Sequence, residues 1–278
     1  MRLRTLLAVM LSLSACAANH PGTSDIPTIP LPSSAQTIAV VSSLPQKMRL
    51  ATEGAGFTNT LEFVDIPLLH LDDVAFETVS KALSPRYRVM RGTVERPFVD
   101  DQSKLETLLD KESPLVDLVR HHVQTDGPAD LYLVLAVSSR SGHGSSVTVP
   151  IVSPRLYGVM SAGQPTLWDI GVSKKEDLLL TRPPVVHVYL MMTIIDGTTF
   201  KVLGQVPLMM DPSRPFPTGM AASYGGGAAY PVQPLPEFEW QRHWADLPTD
   251  QRMQLLNTIV SLLAQSLTYT IQQSHLAP

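Results

Sequence analysis

Residues 129–139 read ADLYLVLAVSS. From Leu131 to Val137 the run is apolar with no polar alternation, which marks a buried strand. Upstream, Ser113-Pro114 supplies an N-cap followed by proline at the first helical position. Leu115, Leu118, Val119 and His122 share a helical face behind it, and Gly127-Pro128 closes that helix before the strand. Further upstream, TIAVVSSL (37–44) is a compact β-branched run and predicts a second strand. FVDIPLLHL (63–71) is extended, with Pro67 keeping it at a sheet edge or out of the sheet. Asp72 or Asp73 can then cap a helix with Ala75, Val79, Ala82 and Leu83 on one face; Pro85 stops it, and YRVMRGTVE (87–95) returns as a strand. Downstream, VVHVYLMMTIID (185–196), the Asp196-Gly197 pair and TFKVLGQVPLM (199–209) predict a β-hairpin. The final element, residues 250–273, places Leu256, Ile259, Val260, Leu263, Leu267 and Ile271 on one stripe, and no Asp, Glu, Lys or Arg follows Arg252. Gln254, Asn257, Gln265 and Gln272 would need partners in lipid, so the helix is expected to pack on the sheet, with part of its polar face against another segment or subunit.

Strand, helix, strand, helix, strand, hairpin and helix together predict an α/β sandwich, a mixed β-sheet packed with helices and carrying a long C-terminal helix. The pieces TIAVVSSL, VAFETVSKAL leading to YRVM, VDLVRHHVQTDGPADLYLVLAV, and MMTIIDGTTFKVLGQV before a terminal helix occur in an order that resembles one group of bacterial envelope α/β domains. That group includes the amino-terminal domain of the Tol-Pal propeller protein, the curli secretion lipoprotein and the lipoprotein activators of peptidoglycan synthases. The resemblance covers about two-thirds of the chain after residue 16 and implies a role in envelope assembly. Residues 46–70 and 140–184 are long inserts relative to the minimal domain of that group.

The chain opens MRLRTLLAVMLSLSAC. Arg2 and Arg4, a short apolar run and small residues ahead of Cys16 are the features of a secretory signal, and the run is far shorter than the ~20 residues that span a bilayer. LSAC resembles a bacterial lipobox, which implies cleavage after residue 15 and lipid on Cys16, the only cysteine of the chain. Ala17 follows in place of Asp, which favours the outer membrane, facing the periplasm, over the inner membrane as the alternative. Residues 1–15 are thus expected to be a signal peptide and 16–36, with Pro21, Pro27, Pro30 and Pro32, a proline-rich tether. Residues 37–278 are expected to form a single α/β domain with an irregular insertion at 210–248.

The formal charge is −4; losing Arg2 and Arg4 leaves 19 basic against 25 acidic residues, or −6. That balance argues against nucleic acid. The expected partners are the membrane, through Cys16, and an envelope protein; no cofactor or metal is expected. His121 and His122 point about 100° apart on a helix and so do not converge on one ion. His187 alternates with Val186 and Val188, and His70 and His143 are separated along the chain. SGHGSSVTVP (141–150) lacks the G-x-S-x-G pattern of an α/β hydrolase and reads as a loop. KKED (174–177) reads as a solvated turn. Residues 210–244 combine six prolines, Gly225-Gly226-Gly227 and several aromatics. Two readings stand for this stretch: Trp240 and Trp244 plug into the domain, or Tyr224, Tyr230, Trp240 and Trp244 are offered to a partner. No catalytic constellation is evident; the alternative to a binding component is an envelope hydrolase whose site is assembled from distant residues.

Overall fold

The computed structural model describes residues 28–53, 60–94, 112–136, 139–140, 166–167, 170–175, 183–188, 190–211, 231–241 and 243–276. The strands are β1 (Thr37–Ser43), β2 (Lys47–Glu53), β3 (Thr60–Asp65), β4 (Arg88–Val94), β5 (Val123–Gln124), β6 (Leu131–Ala136), β7 (Ser139–Arg140), β8 (Thr166–Leu167), β9 (Ile170–Lys175), β10 (Val185–Val188), β11 (Met191–Asp196), β12 (Val202–Pro207) and β13 (Val232–Pro234). The helices are α1 (Leu71–Leu83), α2 (Glu112–His122) and α3 (Thr249–Gln273), with short 3-10 turns at Pro67–Leu69 and Trp244–Asp246. The protein is thus of the α/β class, with two mixed sheets packed with helices and a long C-terminal helix.

The larger sheet runs β12-β11-β6-β1-β4-β5. β1 pairs in parallel with β4 and β6, while β11 and β12 continue antiparallel on the β6 side. The alternation of side chains sends Leu131, Leu133 and Leu135 of β6 into the main core with α1 and α3, and Val134 into a second cluster with Leu115, Leu118 and Val119 of α2. β1 divides in the same way, Ile38 and Val40 to one side and Val41 to the other. Helices cover both faces, which explains the continuous apolar runs of the central strands.

The smaller sheet runs β13-β10-β9-β2-β3 and draws on the segments read from sequence as inserts. β2 and β9 are parallel; the other pairs are antiparallel. Met48, Leu50, Ile170, Val172, Val186 and Val188 bring this sheet into the same main core. The sequence 185–196 is therefore not one hairpin strand. The chain leaves the smaller sheet at Val188, passes Leu190 through the core, and enters the larger sheet at Met191. Only β11 and β12 form the hairpin. Hydrophobic periodicity shows two apolar runs but not that a two-residue step sends them to different sheets. β3 lies at an edge, but of the extended stretch expected at 63–71 only 63–65 is strand, and Pro67 opens a 3-10 turn outside the sheet.

Two further boundaries differ from the sequence reading. Ile29, expected in the tether, is 5 % exposed and packs over Gly204 of β12, where a Cβ would lie 2.9 Å from its side chain. In the expected insertion 210–248, β13 forms and Leu235, Phe238 and Leu247 join the core. On α3 the buried set is Leu255, Ile259, Leu262, Leu263, Ser266, Leu267, Thr270 and Ile271, so the inward face is turned from the expected stripe and leaves Leu256 and Val260 half-buried. Thr270 earns its burial: its hydroxyl oxygen accepts the Met209 N–H at 2.8 Å.

One carboxylate clamps the start of β1. Asp130 accepts the backbone N–H groups of Gln36 and Thr37 and the Thr37 hydroxyl, each at 2.9 Å, while Thr37 Oγ1 accepts the Asp130 N–H at 2.8 Å. The Gln36 and Thr37 backbone bonds, then the Thr37 hydroxyl, hold the Asp130 carboxyl below its ordinary range. A lowered folded-state value stabilises the fold above the unfolded carboxylate value near ~3.9, and the gain fades as pH falls through the folded value. Asp130→Asn is therefore expected to cost on the order of 1 kcal/mol at neutral pH, the figure being held down by solvent exposure. Urea denaturation should show the gap from the parent protein closing as the pH falls below the carboxylate range.

Candidate functional site

The carboxyl ends of the parallel strands β1 and β4 open onto a cleft of about 470 Å³, bordered by the start of α1. Crevices outside the carboxyl ends of parallel strands are the usual binding place in open α/β sheets, and this volume falls in the range of small-molecule or side-chain pockets. The alternation that buries Ile38 and Val40 brings Ser42 to the α1 side, at the cleft. Ser42 Oγ donates to Asp72 Oδ1, and the Leu44 N–H donates to the same oxygen at 3.1 Å. Asp72 thus fastens the turn between β1 and β2 to the first turn of α1. Asp72 and Asp73 together complement the positive end of the helix dipole.

Asp73 carries the second half of the cluster. Arg91 of β4 donates to Asp73 Oδ1 at 2.6 Å, and its guanidinium lies 4.4 Å from the centroid of the Phe76 ring. His70, at the left-handed residue before α1 (φ 46°), brings Nδ1 to 3.7 Å from Asp73 Oδ2. Both partners of the Arg91–Asp73 pair are over two-fifths exposed, so the pair contributes at most about 1 kcal/mol. Its consequence is geometric: ion pair and ring hold the guanidinium plane at the cleft wall with donors to spare. The apolar part of the lining comes from Leu44, Ile66, Leu71 and Phe76. Such a surface suits a ligand with a small apolar body and hydrogen-bonding groups. Among the described residues, no group of three or more His, Cys, Asp or Glu side chains is placed to hold a metal ion.

Of the histidines and aromatic residues singled out from sequence, His70 alone among the described residues reaches the cleft. Cys16, Tyr224 and Tyr230 lie outside the described residues, as do His143 and the 141–150 loop. Trp240 is 9 % exposed; its Nε1–H donates to Thr52 Oγ1 at 2.9 Å, and its ring packs 6.5 Å from that of Phe238. It is spent inside the fold rather than displayed. Trp244 is half-buried against the core, its N–H donates to Glu62 Oε2 at 2.9 Å, and the Arg252 guanidinium lies 5.6 Å from its ring centroid. His121 and His122 are exposed at the end of α2, and His187 is buried on β10. Lys174 and Lys175 belong to β9 and pair with Thr52 and Glu53, so KKED begins in a strand rather than a turn.

The cleft residues Ser42, Phe76 and Arg91 were not legible as a site. The available signal was an acid pair opening the first helix after the first strand, which the topology sets at a strand carboxyl end. Family models, curated proteins and solved structures were all compared with this chain, and none matches it.

Two substitutions separate structural from presented groups. Asp72→Ala should cost about 1–2 kcal/mol and speed hydrogen exchange at the Leu44 amide, because two donors lose their acceptor. Arg91→Ala should change stability by no more than about 1 kcal/mol. Denaturation and exchange mass spectrometry of both variants check the contrast. Trp240→Ala should cost about 3–5 kcal/mol by the same denaturation assay, as removal of a large core side chain does.

Proposed function

We propose that this protein is a lipid-anchored component of the bacterial cell envelope, tethered through Cys16 and acting as a non-enzymatic binding or assembly protein. The observation that carries the tether is the sole cysteine placed at the end of LSAC, behind a basic start and a short apolar run. Lipid on that thiol holds the domain at the membrane, and Ala17 favours the outer membrane. The cleft at the ends of β1 and β4 supports a binding role. Its acids are already engaged, Asp72 by Ser42 and Leu44 and Asp73 by Arg91, which suits presentation of a fixed surface. The partner in this reading is another envelope protein, as the resemblance to envelope α/β domains implies.

The hydrolase reading has one observation of its own, the Ser42 hydroxyl donating to the Asp72 carboxylate at the cleft. Labelling by a fluorophosphonate that disappears in Ser42→Ala would favour it.

Cys16→Ser should abolish incorporation of labelled palmitate and release the protein from membranes or stall its precursor. Unchanged labelling and retention would overturn the tether. A photo-crosslinking residue at Thr93, on the cleft, should capture an envelope protein in native membranes, whereas the same residue at the exposed Lys81 should not. Equal capture at both positions would remove the cleft from the argument.

A further inference from the structure

The outward face of α3 carries a second, independent surface. Asp250, Met253, Gln254, Asn257, Ser261 and Gln272 are exposed, with Thr258, Gln265 and Thr268 half-buried beside them. No Asp, Glu, Lys or Arg occurs on this helix beyond Arg252. Surface helices ordinarily carry charged side chains on the solvent face, so an uncharged amide and hydroxyl stripe over five turns is a distinct feature. A shallow groove runs along it, lined by Gln233, Met253, Gln254, Asn257, Thr258 and Ser261. Among the described residues the groove has no aromatic lining on which a sugar or base could stack, and only Asp250 at its end carries charge.

Its chemistry fits itself. Amides and hydroxyls each donate and accept, so one patch can satisfy an identical patch across a twofold axis. The whole chain carries a charge of −4, so two copies repel over most approaches; along this stripe they can meet without opposing like charges. Orientation follows from the ends. Parallel helices would set two Asp250 carboxylates side by side. Antiparallel helices set Asp250 of one copy near Gln272 and the exposed His275 of the second. Ser261 lies midway between positions 250 and 272 and so falls at the axis.

We propose that the polar stripe of α3 is a homodimer interface, with two copies paired antiparallel about a twofold axis at Ser261. The stripe is one helix wide and about 33 Å long, so the contact is smaller than a standard specific interface and belongs to the weak, transient class, which makes the dimer concentration-dependent.

The test uses the full-length protein, oxidised in membranes and after detergent extraction. Ser261→Cys should form a disulfide-linked dimer, because the two positions 261 meet at the axis. Gln272→Cys should not, because antiparallel pairing separates the two positions 272 by about 33 Å. Cys16 is common to both variants and sets the background. In sedimentation equilibrium, Asn257→Lys combined with Ser261→Lys should raise the dimer dissociation constant by at least about tenfold. Equal crosslinking at 261 and 272, or a monomer at every concentration, would overturn the proposal.

Discussion

β1 lies between parallel β4 and β6, and Ile38, Ala39, Val40 and Val41 are each at most 1 % exposed. Over residues 38–41 the strand is buried on both faces with both edges paired, so this stretch leaves no side chain to water. Both faces of the larger sheet must then be covered, which α1 and α3 do on one side and α2 on the other. The Asp130 clamp sets where β1 begins, and the Asp72 contacts set how it ends. Displacing β1 by one residue would send Ile38 and Val40 to the α2 side and Ser42 away from the cleft.

The same constraint explains the position of the cleft. Parallel pairing of β1 with β4 requires a crossover, and the chain makes it through the smaller sheet and α1 before returning along β4. The crossover delivers the acidic first turn of α1 to the carboxyl ends of both strands. Asp72 and Asp73 sit where the helix dipole favours negative charge, and each then collects a partner from a strand or from the turn that follows it, Ser42 and Leu44 for one and Arg91 for the other. The N-cap position falls to His70 and not to the expected Asp72 or Asp73, so the polar lining of the cleft is a consequence of first-turn acids complementing the helix dipole at a sheet edge.

The smaller sheet gives the domain breadth that one sheet and its helices would not supply. It contributes Met48, Leu50, Ile170, Val172, Val186 and Val188 to the common core, and it is fastened to the C-terminal part of the chain through Trp240 and Thr52. It also makes the stretch from Gln233 to Trp240 part of the packed structure. An aromatic-rich, proline-rich stretch reads from sequence either as a display loop or as a cover; burial and the indole hydrogen bond assign Trp240 to the cover.

By itself the sequence determined the α/β class, strands within 37–44, 87–95 and 129–139, a helix between Leu71 and Pro85, the turn at Asp196-Gly197 and the long C-terminal helix. Each of these rests on local information: apolar period, caps, prolines and turn residues. Only the tertiary structure decided that residues 46–70 and 140–188 supply strands of a second sheet, that the run 185–196 is divided between two sheets, and that Ile29 belongs to the core. It alone brought Ser42, Asp72, Asp73 and Arg91 to one cleft. Partners of this kind are chosen by contacts between residues far apart in the chain, and short-range patterning carries no record of which buried strand will lie beside which.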